Sequence, residues 1–274
     1  MAPSAIATEP LLVCERVTKN FGSLAAVDRL SLVVRSGEIV GLGGPNGAGK
    51  TTLFDVVTGV TAISAGRILF EGRDVTGLAA HEICRAGIAR TFQLNAAFDS
   101  LSIRENIEIA AYFGHGARRF PGLAIGRAER KRAAMALDLV GLTSGLDRAA
   151  RDLPVLDRKL LMIAGAVATS PKLLLLDEPV GGLSPSEIDH IVALVRRLSA
   201  SGIAILLIEH VMRFLLSLST RVVIMHHGES IFEGVPSAVA EDRTVVETYL
   251  GKAATTRLKA YFAKQPDKRE SGLA

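Results

Sequence analysis

The chain has 274 residues, of which 49% are hydrophobic and 22% are charged, a balance typical of a folded α/β protein. Its net charge is +4, but the Lys and Arg residues are scattered along the sequence. Because aromatic residues make up only 5% of the chain and Trp is absent, we expect no nucleic-acid partner.

The first third of the sequence alternates strand-like and helix-like segments. Apolar runs predict the strands, and Gly and Asn residues mark the joins between elements. We predict strands at 12–21, 30–44 and 67–75, and a helix at about 49–58. Residues 1–10 are predicted to form a flexible lead-in.

A glycine-rich stretch, GPNGAGKT (44–51), follows the strand-like IVGLG (39–43) and opens the predicted helix. It matches the phosphate-loop pattern in the right context. Its glycines let successive backbone N–H groups point at phosphate oxygens, and the helix amino end adds a positive dipole. The Lys50 ammonium can reach the β- and γ-phosphates, and the Thr51 hydroxyl can ligate Mg²⁺. The residues predicted to bind the nucleotide here are Gly44, Pro45, Asn46, Gly47, Ala48, Gly49, Lys50, Thr51 and Thr52.

The middle of the chain is predicted to be a helical insert, at about 94–168. A Gly-, Arg- and Pro-rich link at 114–126 interrupts it. Before it, Gln93 lies in a polar and aromatic turn, where its side-chain amide could join a Mg²⁺ shell. The segments with helical spacing are 80–89, 101–113, 126–140 and 155–168.

The stretch LLLLDE (173–178) predicts a strand that is buried on both faces and ends in two carboxylates. Ligands of parallel sheets bind at the carboxyl ends of the strands. Asp177 is therefore the predicted Mg²⁺ anchor, acting through a water molecule. Glu178 is predicted to polarise the water that attacks the γ-phosphorus.

The last third continues the alternation. We predict a helix at 185–200, a strand at 203–208, a short helix from Val211, and strands at 221–225 and 230–234. Strands that alternate with helices predict an α/β fold with a largely parallel sheet. His210 follows the strand at 203–208, where its ring could hydrogen-bond a γ-phosphate.

In this order, the motifs resemble the nucleotide-binding domain of ATP-binding-cassette (ABC) transporters, over about residues 11–250. The resemblance implies a P-loop NTPase core with a mainly parallel central sheet, an amino-terminal antiparallel β subdomain and the helical insert. It implies ATP and Mg²⁺ as ligands, and ATP hydrolysis as the activity. It identifies Gln93 as the Q-loop glutamine, Glu178 and His210 as catalytic, and Phe21 as the aromatic that stacks on adenine, with Val27 as its packing neighbour. The predicted domain is 11–251, followed by a tail at 252–274.

Several stretches, including GIARTFQ and VVETYLG (245–251), are similar to the branched-chain amino-acid importers and to importers of urea and short-chain amides. The resemblance implies two ATPase subunits beneath two membrane permease subunits, fed by an extracytoplasmic solute-binding protein. The implied location is peripheral, on the cytoplasmic face of the cell membrane. Two sequence features fit this location. Every apolar run is shorter than the ~18 residues of a membrane span, and Cys14 and Cys84 lack disulfide or metal spacing.

One family motif departs from its usual sequence. Counting back from Asp177, the signature LSGGQ falls on LPVLD, from Leu153 to Asp157. Pro154 replaces the Ser and removes both a hydroxyl and an N–H. Val155 and Leu156 replace the two glycines, and Asp157 brings a carboxylate towards a polyanion. Since a signature normally caps ATP held by the opposite subunit, we expect an asymmetric heterodimer in which a partner ATPase supplies an intact signature.

Three alternatives stay open at this stage. A non-transport ABC ATPase would usually carry a long coiled-coil insertion or two cassettes in one chain, and neither is present. An export-type ATPase would be a homodimer, in which the degenerate signature disables both sites. A regulatory subunit that binds ATP without hydrolysing it would not need Glu178 and His210.

Overall fold

A computed structural model describes residues 9–92, 97–114 and 124–263, apart from the side chain of Lys252. Its first unit is an antiparallel sheet with the strand order β2-β1-β4-β5. Apolar residues line the inner face of the two long strands, which pair along their whole length. The strands are β1 (Pro10–Phe21), β2 (Leu24–Arg35), β4 (Ala65–Phe70) and β5 (Arg73–Asp74).

The second sheet has six strands in the order β10-β9-β3-β8-β7-β6. The pairs from β9 to β6 are parallel, and only β10 runs antiparallel, which confirms the predicted largely parallel sheet. Its strands are β3 (Ile39–Gly43), β6 (Ile88–Arg90), β7 (Leu173–Asp177), β8 (Ala204–Ile208), β9 (Arg221–His226) and β10 (Glu229–Gly234).

The helices cover the six-stranded sheet. Those with a clear apolar stripe bury it, as expected for amphipathic helices. They are α1 (Lys50–Val57), α2 (Ala80–Ala86), α3 (Ile103–Phe113), α4 (Arg127–Val140), α5 (Val155–Ala168), α6 (Pro185–Ala200), α7 (Met212–Leu218), α8 (Arg243–Val245) and α9 (Gly251–Ala263). In the described part of the chain, no helix combines the length and apolarity needed to cross a membrane.

The run of four leucines in β7 is explained by burial on both faces of the sheet. Leu174 and Leu176 join one core with α3 to α7, whereas Leu173 and Leu175 join a second core with α1 and the antiparallel sheet. Successive side chains of a strand point to opposite faces, so an uninterrupted apolar run fits only a strand covered on both sides. The carboxyl end of β7 therefore lies between the two cores, on the side of the sheet where the parallel strands end.

Two predicted elements have different boundaries in the structure. The strand predicted at 30–44 is broken by a turn around Gly37 (φ +70°), so that β2 and β3 belong to different sheets. The helix predicted at 80–89 ends at Ala86, because Gly87 takes a left-handed conformation (φ +116°) and the chain continues as β6.

The ends of the chain are described in part. The lead-in predicted at 1–10 lies outside the described residues up to residue 8, and Pro10 already begins β1. In the tail predicted at 252–274, α9 reaches Ala263 and buries Leu258 in the core that contains α3 to α7. Residues 264–274 lie outside the described residues.

Candidate nucleotide site

The phosphate loop joins β3 to α1 and needs glycine at two positions. Gly44 (φ +138°) and Gly49 (φ +97°) have left-handed backbone conformations. A Cβ at Gly44 would lie 2.1 Å from the carbonyl oxygen of Met225, and one at Gly49 would lie 2.0 Å from that of Ala26. Both contacts are impossible for a real side chain, so β2 and β9 hold the loop in a shape that requires glycine at these positions.

Lys50 begins α1 and folds back over the loop. Its Nζ donates hydrogen bonds to the carbonyl oxygens of Gly44 (2.8 Å) and Pro45 (2.9 Å). An ammonium has three donors, so one remains for a phosphate oxygen. Burial lowers the pKa of Lys50, while the carboxylates of Glu178 and Asp177 raise it.

An open cleft of about 520 Å³ lies over the phosphate loop. It brings together predicted residues from four separate segments of the chain, together with Leu24, Ala25, Ala26 and His227, which sequence reasoning missed. The predicted residues that line it are Phe21, Asn46, Gly47, Ala48, Gly49, Lys50, Thr51, Thr52, Glu178 and His210.

Phe21 is half exposed, and the Lys19 ammonium lies 4.8 Å from the centre of its ring. Val27, by contrast, is fully buried in the core beneath the cleft and does not face it. It can support the cleft wall but cannot contact a ligand there. Gln93 lies outside the described residues.

His227 reaches the cleft from the turn between β9 and β10. It has a left-handed backbone (φ +49°) and is followed by Gly228, whose N–H donates to the carbonyl oxygen of Ala48. Two consecutive positive φ values are typical of a tight hairpin turn, and here the turn rests on the phosphate loop. The His-Gly pair between two apolar strands was the available sequence signal.

Glu178 and His210 meet above the loop. Glu178 Oε1 lies 2.7 Å from His210 Nε2, and both side chains are 40% exposed. Glu178 has a left-handed backbone (φ +49°), which costs roughly 1 kcal/mol for a residue with a Cβ. The Glu178 backbone N–H donates a hydrogen bond to the carbonyl oxygen of Ile208, and the Glu178 carbonyl oxygen accepts one from Lys159 Nζ (3.0 Å). These two bonds fix this conformation. Such strain is commonly kept at functional sites.

Asp177, at the end of β7, is not among the described residues that line the cleft, and its side chain is only 5% exposed. Its Oδ2 accepts a hydrogen bond from Arg90 Nη2 at 2.7 Å. Among the described residues, no group donates to its other oxygen, Oδ1. Sequence reasoning missed Arg90, because its partner lies 87 positions away.

Glu209, a second residue missed from the sequence, supports His210 from beneath. It is buried, and its carboxylate accepts backbone hydrogen bonds from Val180 (2.9 Å), His210 (3.1 Å) and Val211 (3.3 Å). Burial raises the pKa of Glu209, and these hydrogen bonds act against the rise. A carboxylate at the end of the apolar strand β8 was the available signal.

The segment from Leu153 to Asp157 forms the start of α5. Leu153 is buried, Pro154 is the N-cap residue and forms no side-chain cap bond, and Val155 is 44% exposed. Leu156 packs against the core, and Asp157 lies in the first turn. The helix therefore forms, and its amino end offers neither a hydroxyl nor a glycine backbone.

Three kinds of comparison show what this chain is similar to. A family model described as ABC transporter matches residues 27–181. The high-affinity branched-chain amino acid transport ATP-binding protein BraF of Pseudomonas aeruginosa is 36% identical over 254 residues, covering 90% of this chain and 100% of BraF. The corresponding protein LivG of Escherichia coli (strain K12) is 35% identical over 256 residues, with the same coverage.

Solved structures show the same fold. A nucleotide-free ATP-binding cassette from an ABC transporter superposes with a TM-score of 0.80 at 31% identity. The ADP conformation of an ATP-binding cassette of an ABC transporter superposes with a TM-score of 0.81 at 32% identity. Each match covers 89% of this chain and 100% of the other. The predicted fold class is confirmed.

Proposed function

The chain belongs to the ABC transporter family, and from this premise we propose that it powers the import of a branched-chain amino acid or a related small polar solute, such as urea or a short-chain amide. As a family member it is an ATP-binding, ATP-hydrolysing subunit of a transporter. The solute class is supported by the names of relatives that cover 90% of the chain.

The contact between Glu178 and His210 carries the catalytic part of the proposal. Glu178 takes a proton from a water molecule while the water oxygen attacks the γ-phosphorus. The bond between that phosphorus and the β–γ bridging oxygen breaks, and ADP and phosphate are released. His210 orients the Glu178 carboxylate, and Lys50 with the backbone N–H groups of the loop holds the phosphates.

The donor set fits Mg²⁺, which prefers hydroxyl, carboxylate and phosphate oxygens. The Thr51 hydroxyl lines the cleft, and Asp177 keeps Oδ1 available while Arg90 occupies Oδ2. When bound, Mg²⁺ neutralises charge on the β- and γ-phosphates. We propose that Thr51 and Asp177 hold it, the latter through water, together with Gln93.

The amino end of α5 supports an asymmetric heterodimer. At ~5 Å and an effective dielectric constant near 20, the charge of Asp157 would raise the energy of a phosphate negative charge by about 3 kcal/mol. The helix dipole lowers the energy of that phosphate charge by only about 1 kcal/mol. This chain therefore supplies a competent phosphate loop and a poor signature, and its working site needs the intact signature of a second ATPase subunit.

The remaining partners follow from the importer assignment. We propose two membrane permease subunits and an extracytoplasmic solute-binding protein, with this chain bound peripherally at the cytoplasmic face of the membrane. The names of the relatives, which are ATP-binding proteins of amino-acid transport, support this arrangement.

The test is ATP hydrolysis by the complex reconstituted with its partner ATPase. Glu178→Gln should lower turnover by about 10²-fold or more, because the general base is lost. Glu15→Gln, an exposed carboxylate on β1, is the matched control. Turnover above half the wild-type rate would show that the other site does the work. A homodimer of this chain that matches the rate of the complex would contradict the heterodimer.

A further inference from the structure

Arg90 occupies an unusual place at the end of the edge strand β6. Its side chain is only 6% exposed, and its guanidinium forms two ion pairs. Nη1 lies 2.5 Å from Oδ1 of Asp55, and Nη2 lies 2.7 Å from Oδ2 of Asp177. A single buried cation therefore joins a helix and a strand that are far apart in the sequence.

The shape of the guanidinium makes this bridge rigid. Its planar group presents donors in two fixed directions, which one ammonium on a flexible stem does not reproduce. The rings of Phe54 and Phe92 also lie 5.4 Å and 5.2 Å from the guanidinium carbon. Contacts with two aromatic rings restrict the plane further. Among the residues that the structure describes, none accepts a hydrogen bond from the buried Nε, so the two Nη groups make the described hydrogen bonds of Arg90.

The bridge links the helix and the strand that carry two of the proposed Mg²⁺ ligands, Thr51 and Asp177. Asp55 lies four positions after Thr51 on α1, so the two residues share one face of that helix. Asp177 is at the end of β7. Arg90 therefore ties the face of α1 that carries the Thr51 hydroxyl to the strand that carries the Asp177 carboxylate.

We infer that Arg90 is a positioning residue of the ATPase site: it holds Oδ2 of Asp177 so that Oδ1 faces the cation, and it fixes Asp177 relative to Thr51 through Asp55. This inference rests on the proposed role of Asp177. Arg90 touches neither nucleotide nor metal in this arrangement and acts through the two carboxylates.

The charge of Arg90 gives the inference a distinctive signature. The positive charge of Arg90 beside Asp177 weakens the binding of a divalent cation, while its hydrogen bond orients the Asp177 carboxylate. Removing Arg90 should therefore tighten cation binding and slow turnover. Neutralising Asp55 should weaken cation binding, because the charge of Arg90 is then compensated by Asp177 alone. A residue that only stabilised the fold would not produce opposite shifts.

The experiment measures Mn²⁺ affinity by electron paramagnetic resonance with ADP bound, together with ATPase in the heterodimer. Arg90→Met should tighten Mn²⁺ binding by roughly fivefold or more, the size expected for a unit charge acting on a divalent cation through water-like screening. Asp55→Asn should weaken it, and Arg90→Lys should leave it near wild type. All three should lower kcat, and Arg67→Met, from an exposed pair with Asp74, should change nothing.

Asp177→Asn separates the possible failures. If it weakens Mn²⁺ binding while Arg90→Met and Asp55→Asn leave that binding unchanged, the inference on Arg90 is wrong and the proposed function stands. If Asp177→Asn has no effect on Mn²⁺ binding, the proposed role of Asp177 is wrong, and the inference on Arg90 is wrong with it. Should Arg90→Met fail to fold, as judged by its thermal melt, Asp55→Asn and Arg90→Lys still decide, because Asp55 is one-third exposed and Lys keeps the charge.

Discussion

Helices α1 and α5 both begin where a nucleotide phosphate would be expected, and only one of them is equipped to bind it. The amino end of α1 follows a glycine-rich loop and presents Lys50 and Thr51. That of α5 follows Pro154 and presents Val155 and Asp157. Both ends carry the partial positive charge of a helix dipole. The comparison shows that the dipole alone does not make a phosphate site, which also needs open backbone and side-chain donors.

Asp157 shows how stability and binding can oppose each other. A carboxylate in the first turn of a helix stabilises that helix by about 0.5 kcal/mol. The same carboxylate repels a phosphate placed at the helix end. At α1 no acidic residue lies in the first turn, and the positive end is left for the ligand. The start of α5 is therefore well suited to folding and poorly suited to capping ATP.

Removing the ammonium from the α1 side should give the largest effect. We expect Lys50→Met to lower ATPase by about 10³-fold, because it removes the ammonium that we propose holds the β- and γ-phosphates. Binding of a fluorescent ATP analogue should weaken in parallel. Lys172→Met, which removes an exposed lysine paired with Glu71, is the control. An ATPase rate within tenfold of wild type would mean that this loop does not hold the hydrolysed nucleotide.

His210→Ala should lower kcat by about 10²-fold with little change in ATP affinity, because His210 contacts Glu178, the proposed general base. The double variant with Glu178→Gln is the sharper measurement. Residues that act as a unit show non-additive losses, so the double variant should be hardly slower than Glu178→Gln alone. Fully additive losses would indicate that the two residues act separately.

Restoring the signature should give a smaller effect of opposite sign. Replacing Pro154, Val155, Leu156 and Asp157 by Ser, Gly, Gly and Gln adds a hydroxyl and removes the repelling charge. In the proposed heterodimer, this signature and the phosphate loop of the partner form a second site, the reciprocal site. We expect nucleotide affinity there to rise by about tenfold or more, since the charge term alone exceeds 1.4 kcal/mol. Glu178 would not belong to the reciprocal site in this proposed arrangement, so the gain should persist in the Glu178→Gln background. If the gain disappears in the Glu178→Gln background, the restored signature does not act at the reciprocal site.

The two helix ends also show what a sequence can predict. The phosphate loop is a local motif in which glycine spacing, a preceding strand and a following helix lie within about twenty residues, so its shape follows from the sequence. The double burial of β7 follows in the same way from its run of leucines. Whether the site residues perform their assigned roles stays a prediction until the variants are measured.

Long-range pairs and side-chain directions could not be predicted in this way. Arg90 contacts Asp55 and Asp177 only because β6, α1 and β7 become neighbours in the folded chain. Nothing near Val27 indicates that its side chain points into the core while Ala26 lines the cleft. A shift of one residue in a strand reverses the face that a side chain occupies. The sequence pattern at the start of β2 does not show which of the two faces each side chain takes.

The smallest expected effect concerns Glu209, which supports the catalytic side from within the core. Because burial raises its pKa above the usual value of 4.5, the folded state holds this proton more tightly than the unfolded state. Stability from this group is therefore present below pH 4.5 and lost as the pH rises through the folded-state pKa. Wild-type thermal melts should show this loss, and Glu209→Gln should not.

Glu209→Gln should still carry a cost at every pH, because its amide nitrogen accepts no hydrogen bond. One carboxylate oxygen, either the acceptor of Val180 or the acceptor of His210 and Val211, is therefore lost. The turn that carries His210 would then loosen, and kcat should fall modestly while nucleotide affinity is kept. Glu229→Gln, an exposed carboxylate on β10, provides the matched control for the melts. If Glu209→Gln and wild type show parallel melting profiles from pH 4 to 8, Glu209 does not contribute to the pH dependence of stability, and its role is limited to its backbone hydrogen bonds.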